Sequence, residues 1–417
     1  MSFRSEADEP LEKIRALVGA LVPRNRFYTE RLRAAGVTAA NIASMGDYAA
    51  RVPLTTKEEL VADQWGNPPY GSNLTAPLRE YSRFCQTSGT SGAPLVVLDT
   101  AENWRWMLGN WRRIYEAAGV AAGDRVYFAF SFGPFLGFWT AFEAASALGC
   151  LCIPGGAQGS EARLGMILKH EVEVLLCTPT YALHLAEVAH ASGVDLSRSA
   201  VRKIIVAGEP GGSVPEVRAR LSAAWNGARV FDHYGMTEVG PVAFEDASRP
   251  CVQTVLSESY WPEVIDPQSG LAAEPGAVGE LVLTPLGRHD TPLLRYRTGD
   301  LVRAVHGSRG LELHGGILGR ADDMVVVRGV NLYPGAVDAV VRTVPAITEY
   351  RVHLERRGVL AEVSIEAEST AAGAAVELER ALAAAFSLRI PVTQMVAGSL
   401  PRFELKARRW VVQPTQS

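Results

Sequence analysis

Gln86-Thr87-Ser88-Gly89-Thr90-Ser91-Gly92-Ala93-Pro94 is the stretch whose reading decides the fold. From Thr87 to Gly92 no side chain is larger than a threonine, and none is charged. Leu95-Val96-Val97-Leu98 follows as an apolar run of strand length, and residues 79–84 also read as extended. Small residues between two strands make a loop whose backbone can approach a ligand closely. Hydroxyls and backbone N–H groups in such a loop suit phosphate oxygens. A Ser/Thr/Gly linker has the same composition, so the decision passes to the surrounding chain.

Downstream, strands and helices alternate. The pattern predicts strands at 125–131, 151–154, 174–178, 203–207 and 229–233, with helices at 138–148, 161–170, 180–191 and 215–225 between them. Repeated βα units imply a mostly parallel sheet flanked by helices, with ligands at the carboxyl ends of its strands. Residues 126–142 carry no charge and could be taken for a membrane span. Gly133, Pro134 and Gly137 break the run, which reads instead as strand, turn and core helix. Helix 101–118 carries Trp104, Leu108, Trp111 and Tyr115 on one face, a core stripe. Upstream, residues 11–34 read as two helices broken at Pro23, and Thr55 or Thr56 caps a helix that starts with acids.

After Pro241 the texture changes to short strands, at 263–266, 279–284, 293–296 and 300–305, then near Gly319 to a small α+β unit of about a hundred residues. The expected fold class is α/β: a large N-terminal domain over 1–318 with mostly parallel sheets flanked by helices, plus a β-rich subdomain at about 242–318. A small α+β C-terminal domain occupies 319–417.

The 417 residues are 47% hydrophobic and 21% charged, with a net charge of −4 and both signs interspersed. No basic face points to nucleic acid. Cys85, Cys150, Cys152, Cys177 and Cys251 form no CxxC pair, which suits free thiols in a reducing cytoplasm. The first ten residues have no apolar signal-peptide core.

Several polar motifs sit where chemistry is expected. Glu238 follows Tyr234-Gly235-Met236-Thr237 at a strand end, where a carboxylate suits Mg2+ beside phosphate oxygens. Asp300, after Tyr296-Arg297-Thr298-Gly299, suits ribose hydroxyls, although an Asx turn looks the same. Gly319-Arg320-Ala321-Asp322-Asp323 reads as a hinge or a plain linker. Lys406, in Pro401-Arg402-Phe403-Glu404-Leu405-Lys406, reads as an electrostatic clamp or a surface lysine.

Together and in this order, these motifs resemble the adenylate-forming superfamily of acyl-CoA synthetases and adenylation enzymes. The resemblance is closer to the phenylacetate–CoA ligase group. It rests also on Arg26-Phe27-Tyr28, Pro53-Leu54-Thr55-Thr56-Lys57-Glu58, Gly208-Glu209-Pro210, Pro262-Glu263-Val264-Ile265-Asp266-Pro267, Arg328-Gly329-Val330-Asn331-Leu332-Tyr333-Pro334 and Leu400-Pro401-Arg402. The resemblance spans about residues 13–412. It implies an acid–thiol ligase that uses ATP and Mg2+ to convert a carboxylic acid into an acyl-adenylate, then passes the acyl group to coenzyme A.

By that resemblance, Thr87, Ser88, Gly89, Thr90, Ser91 and Gly92 form the phosphate loop. Glu238 binds the metal, with Thr237 near the α-phosphate, and Asp300 holds the ribose. Gly208, Glu209 and Pro210, with Asp232, His233 and Tyr234, lie on the adenine side, and Arg320 near the ribose. Asp322 is the hinge of a mobile C-terminal lid, and Lys406 bridges carboxylate and α-phosphate. Two departures stand out. Ala93 takes the place of a loop lysine; and Cys251 has no Cys or His neighbours while Ser259 stands where relatives with a Cys/His cluster have histidine, so no zinc is expected.

Phe128, Phe130, Phe132, Phe135 and Phe138 suggest an aromatic acid, with at least three of them core and Phe132, Gly235 and Met236 in the acyl pocket. Two other readings stay open. One is a stand-alone enzyme loading an acyl carrier protein's phosphopantetheine, with Arg402, Arg408 and Arg409 as a basic patch. The other is a non-catalytic nucleotide or acyl binder. Relatives of the group also suggest a homodimer.

Overall fold

The computed structural model describes residues 8–87, 93–323, 325–328, 330–357, 360–403 and 409–413. The chain opens with helices α1 (Asp8–Leu21), α2 (Arg26–Ala34), α3 (Met45–Arg51) and α4 (Lys57–Gly66). Helix α4 starts where its sequence says. Thr56 accepts from the Glu59 N–H at 3.3 Å, and Glu59 Oε2 accepts from the Thr56 N–H at 2.8 Å, a reciprocal capping box. A hairpin, β1 (Tyr81–Gln86) and β2 (Val96–Thr100), carries the phosphate-loop stretch between its strands. Residues 88–92 of that loop lie outside the described residues, as does Lys406.

Helix α5 (Ala101–Ala117) leads into β3 (Arg125–Phe128), α6 (Leu136–Leu148), β4 (Leu151–Pro154), α7 (Ser160–Lys169), β5 (Val174–Cys177), α8 (Pro179–Ala191), β6 (Lys203–Val206), α9 (Pro215–Ala224) and β7 (Arg229–Met236). The uncharged run at 126–142 is thus the end of a short strand, a loop and the start of a helix. That helix ends at Gly149 with φ +92°, a left-handed cap that glycine adopts without strain. Among the described residues no helix is long and apolar enough to cross a membrane. Trp104, Trp111 and Tyr115 are buried, as the stripe on α5 predicts, and Trp111 donates to Thr140 at 2.8 Å.

Then follow β8 (Gly240–Asp246), β9 (Arg249–Val255), β10 (Tyr260–Ile265), β11 (Val278–Pro285), β12 (Tyr296–Gly307) and β13 (Gly310–Arg320). They add to the same sheet, whose order is β10-β11-β12-β13-β9-β8-β7-β6-β5-β3-β4. Pairing is parallel from β4 to β7 and antiparallel from β7 onward, so the large sheet is mixed. The texture change after Pro241 therefore marks a switch of strand direction within one sheet. Strands β8, β9 and β13 escape the sequence reading. β8 opens on Gly-Pro and is buried on both faces, so it shows no period-2 alternation. Residues 293–295 are not strand. Arg295 has φ +46°, and its guanidinium is committed to Glu263 at 2.9 Å and to the Val52 carbonyl at 2.7 Å.

The C-terminal part holds β14 (Val325–Val327), β15 (Val330–Leu332), α10 (Pro334–Arg342), β16 (Glu349–Arg357), β17 (Leu360–Glu368), α11 (Ala374–Phe386), β18 (Val392–Met395) and β19 (Trp410–Gln413). Its four-stranded sheet, β18-β17-β16-β19, covers its own apolar core, which includes Val337, Val341, Val352, Ile365, Leu378 and Leu382. Chain order reverses beside β3, with β4 on one side and β5 on the other, so a ligand crevice opens at the carboxyl ends of these strands.

Candidate active site

Strand β7 runs past the parallel sheet and pairs with β8, so Tyr234, Gly235 and Met236 are strand residues and Glu238 sits in the turn behind them. A Cβ on Gly235 would lie 2.8 Å from the Gly240 carbonyl oxygen, so the β7–β8 turn closes only around glycine. The turn's backbone is gripped from below by Arg288. Its Nη1 donates to the Glu238 carbonyl and, at 3.4 Å, to that of Thr237. The rest of that guanidinium forms two bonds, of 2.8 and 2.6 Å, with Asp99 on β2. Both side chains are fully buried. One ion pair thus fixes the phosphate-loop hairpin to the Glu238 turn, and bidentate geometry makes the link directional.

The Glu238 carboxylate is buried, with Lys57 Nζ at 3.3 Å and the Tyr296 hydroxyl at 3.4 Å, both on Oε1. Lys57 starts α4, so its capping box aims an ammonium at the site. Thr87 closes the base of the loop: its Oγ1 accepts from the Leu95 N–H at 3.0 Å, and its own N–H donates to the Leu95 carbonyl.

Asp300 gathers a second group. Its Oδ2 accepts from the Tyr234 hydroxyl at 2.6 Å, and its Oδ1 lies 3.3 Å from Arg320 Nη1. Burial, and then the Asp300 charge, push the Tyr234 hydroxyl well above its usual pKa, so it stays a donor. Gly299, with φ +73°, leaves room for Arg320, whose Nη2 lies 2.5 Å from where a Cβ would stand. The same guanidinium holds Asp322 at 2.8 and 3.1 Å, linking the expected hinge to the expected ribose carboxylate.

The residues expected on the adenine side separate by strand alternation. Asp232 points under the Gly208–Ser213 turn, where Ser213 donates to it at 2.6 Å and Gln253 at 2.8 Å. Burial pushes its pKa up to about 7. Glu209 accepts from the Thr180 N–H at 2.8 Å, and Gly208 turns the chain with φ +90°. Pro210 lies in the same turn. His233 faces the other side of β7, 4.5 Å from the Trp111 ring, and burial lowers its pKa to about 3. It is neutral, and the structure does not bring it together with Asp232 and Tyr234.

The phenylalanines line the loop between β3 and α6. Phe128 is fully buried, and Phe130 and Phe132 are half-buried and pack against the same core, giving the three core rings expected; Phe135 and Phe138 are half-buried. Phe130 stacks on Phe138 at 4.2 Å, and Phe132 lies edge-on to Trp139 at 5.2 Å and Phe142 at 5.6 Å. Met236 is half-buried, its sulfur 3.6 Å from the Tyr234 hydroxyl.

One expectation changes. Arg402 and Arg409 do not form a free basic patch, because Arg402 is bonded to Glu368 at 2.8 Å and Arg409 to Glu349 at 2.6 Å. Arg408 lies outside the described residues. Ser259 donates to Asn110 at 2.6 Å. Among the described residues no three His, Cys, Asp or Glu side chains cluster as metal ligands. The sequence reading missed Lys57, Asp99 and Arg288 as site residues. Lys57 had a signal in its capping motif, whereas Arg288 and Asp99, 189 residues apart, had none.

The family model for AMP-binding enzymes matches residues 49–285, more than half of the chain. The chain belongs to the AMP-binding enzyme family. This AMP-binding enzyme also matches that family's C-terminal domain over residues 329–413. The phenylacetate-coenzyme A ligase of Pseudomonas putida is 32% identical over 86% of this chain and 80% of its own. That of Escherichia coli K12 is 30% identical over 92% and 89%. Among solved structures, 2-hydroxyisobutyryl-CoA ligase in its postadenylation state superposes with TM-score 0.91 at 27% identity, over 97% of this chain and 88% of that one. The same ligase in its thioesterification state gives 0.70 at 27% identity, over 99% and 90%. This AMP-binding enzyme is an adenylate-forming acid–thiol ligase.

Proposed function

We propose that the enzyme joins an aromatic carboxylic acid to coenzyme A through an acyl-adenylate. The observation that carries the reading is the convergence of Glu238, Asp300 and Tyr234 beside the Thr87 loop base, all fixed by bonds among themselves and to Lys57, Arg288 and Arg320. Under this reading the acid's carboxylate attacks the α-phosphorus of ATP and pyrophosphate leaves. The thiol then attacks the acyl carbon and AMP leaves. A carboxylate is a poor electrophile, and the adenylate supplies its leaving group. The protein positions two anions and neutralises developing charge.

Asp300 accepts the ribose hydroxyls, and Tyr234 offers its ring face to the adenine beside Gly208, Glu209 and Pro210. Thr237 lies near the α-phosphate, and Ser88, Gly89, Thr90, Ser91 and Gly92 cradle the others with Thr87. Lys57 supplies next to Glu238 a cation that Ala93 cannot. A magnesium ion fits here, since the buried Glu238 side chain makes both of its contacts through Oε1, which leaves Oε2 to a cation. When bound, it would neutralise the β- and γ-phosphates. The partly open Phe130–Phe138 wall supports an aromatic acid, with Phe132, Gly235 and Met236 lining its pocket.

We read residues 1–318 as the nucleotide- and acid-binding domain and 319–417 as a lid that turns about Asp322. The higher likeness to the postadenylation-state ligase than to its thioesterification state supports an arrangement suited to the first half-reaction, with Lys406 serving the α-phosphate. Coenzyme A is favoured as acceptor over a carrier protein because Arg402 and Arg409 are spent on internal pairs.

The test is pyrophosphate exchange over aromatic, aliphatic and amino acids, followed by coenzyme A or a carrier protein as acceptor. The reading expects exchange that depends on an aromatic acid, and thioester formation with coenzyme A. Exchange without any acid, or with aliphatic acids alone, overturns it.

A further inference from the structure

Away from the Glu238 site, α8 and α9 meet the C-terminal part along a shallow, solvent-open cleft. Its walls bring together His184 and Glu187 of α8, Arg220 of α9, and Arg342, Arg402 and Arg409 from the C-terminal side. Three of the arginines have carboxylates. Arg402 holds Glu368 at 2.8 Å and reaches Glu187 at 3.4 Å, Arg409 holds Glu349 at 2.6 Å, and Arg342 lies 3.3 Å from Asp338.

Arg220 differs. It is half-buried and has no hydrogen bond or ion pair among the described residues. Burial and the neighbouring Arg342 charge both work against its own charge and lower its pKa. Two further donors are left over at the same cleft. Arg342 Nε is buried without a partner, and His184 Nδ1 makes no hydrogen bond, with Glu187 Oε2 4.0 Å away. The carboxylates nearest Arg220, those of Glu187, Glu349 and Asp338, are already engaged by the other three arginines. Four arginines face four carboxylates here, but Arg402 takes two of them, Glu368 and Glu187, so the Arg220 fork is left with charge nearby and no acceptor bonded to it.

We propose that this cleft binds a phosphate-class anion that bridges α8 and α9 to the C-terminal part, with Arg220 as its chief ligand and Arg342 and His184 contributing donors. A compact oxyanion matches the forked guanidinium of Arg220, which no carboxylate of the cleft bonds. Two sources share this chemistry: the pyrophosphate that adenylation releases, and the phosphates on the nucleotide end of coenzyme A. The naming of these sources rests on the function proposed above, whereas the cleft itself does not.

The test is calorimetric binding of inorganic phosphate, pyrophosphate and adenosine 3′,5′-bisphosphate to the full chain, compared with Arg220→Ala and Arg220→Lys. At least one probe should bind the wild type and bind Arg220→Ala about 10- to 100-fold more weakly, the range a charge-assisted bond supplies. Arg220→Lys should recover part of the loss. Preference for pyrophosphate or for the bisphosphate assigns the source. Because Arg220 holds no partner among the described residues, Arg220→Ala should melt within about 1 °C of the wild type. Absence of binding to the wild type, or binding of every probe by Arg220→Ala with the wild-type affinity, overturns the site. Anion binding through Arg220 in a protein with no acid-dependent pyrophosphate exchange leaves the site standing and removes the proposed reaction instead.

Discussion

Arg288 and Asp99 show what one pair can decide. Both are fully enclosed, and together they join the phosphate-loop hairpin to the turn that presents Glu238. A buried pair of this kind contributes little beyond an apolar substitute, but breaking it strands a charge. Arg288→Met should therefore destabilise the protein by about 3–5 kcal/mol in denaturant unfolding. A loss below about 1 kcal/mol would mean that Asp99 finds another partner. Asp300 makes a separate prediction. Asp300→Ala removes the acceptor of Tyr234 and the neighbour of Arg320, so ATP affinity should fall at least about tenfold, the scale of a lost charge-assisted bond. Unchanged affinity by direct titration would take Asp300 out of the ribose site. At this scale the sequence was generous where a motif is contiguous, as in Tyr234-Gly235-Met236-Thr237-Glu238, and silent where partners are distant in the chain. Nothing in the order of residues couples Arg288 to Asp99, and only folding puts Lys57 beside Glu238.

Among the elements, β7 carries the most information per residue. Its alternation sends Asp232 under the Gly208 turn and His233 against α5, and burial moves the two pKa values in opposite directions. Asp232 rises from 3.8 to about 7, so between those values the folded state keeps a proton that the unfolded chain has lost, and stability falls as pH rises. His233 drops from 6.5 to about 3, so over that window the unfolded chain holds the extra proton and stability rises with pH. Between about pH 4 and 6.5 the two slopes oppose each other. Asp232→Asn removes the falling one. The stability of the variant relative to wild type should then climb by about 1.4 kcal/mol per pH unit across that window, read by urea unfolding at several pH values. A difference independent of pH would contradict the protonated Asp232. The βα elements were legible because their apolar runs and caps are local. Strand β8 was not, since burial on both faces erases alternation, and β9 and β13 follow a change of strand direction that has no sequence mark.

For the whole molecule, one mixed sheet carries both the parallel strand ends and the Glu238 turn, and the C-terminal part meets α8 and α9 along a separate cleft. Fold class and family were readable from the order of motifs, while the single continuous sheet and the arginine-lined cleft required the packed structure. The central claim is that the acid's own oxygen attacks the α-phosphorus of ATP. Its most direct test is to supply an aromatic acid labelled with 18O in both carboxylate oxygens, together with ATP and coenzyme A, and to weigh the products. The account predicts one 18O in AMP and none in pyrophosphate. Label in a phosphate released with ADP, or AMP formed without label, would contradict it.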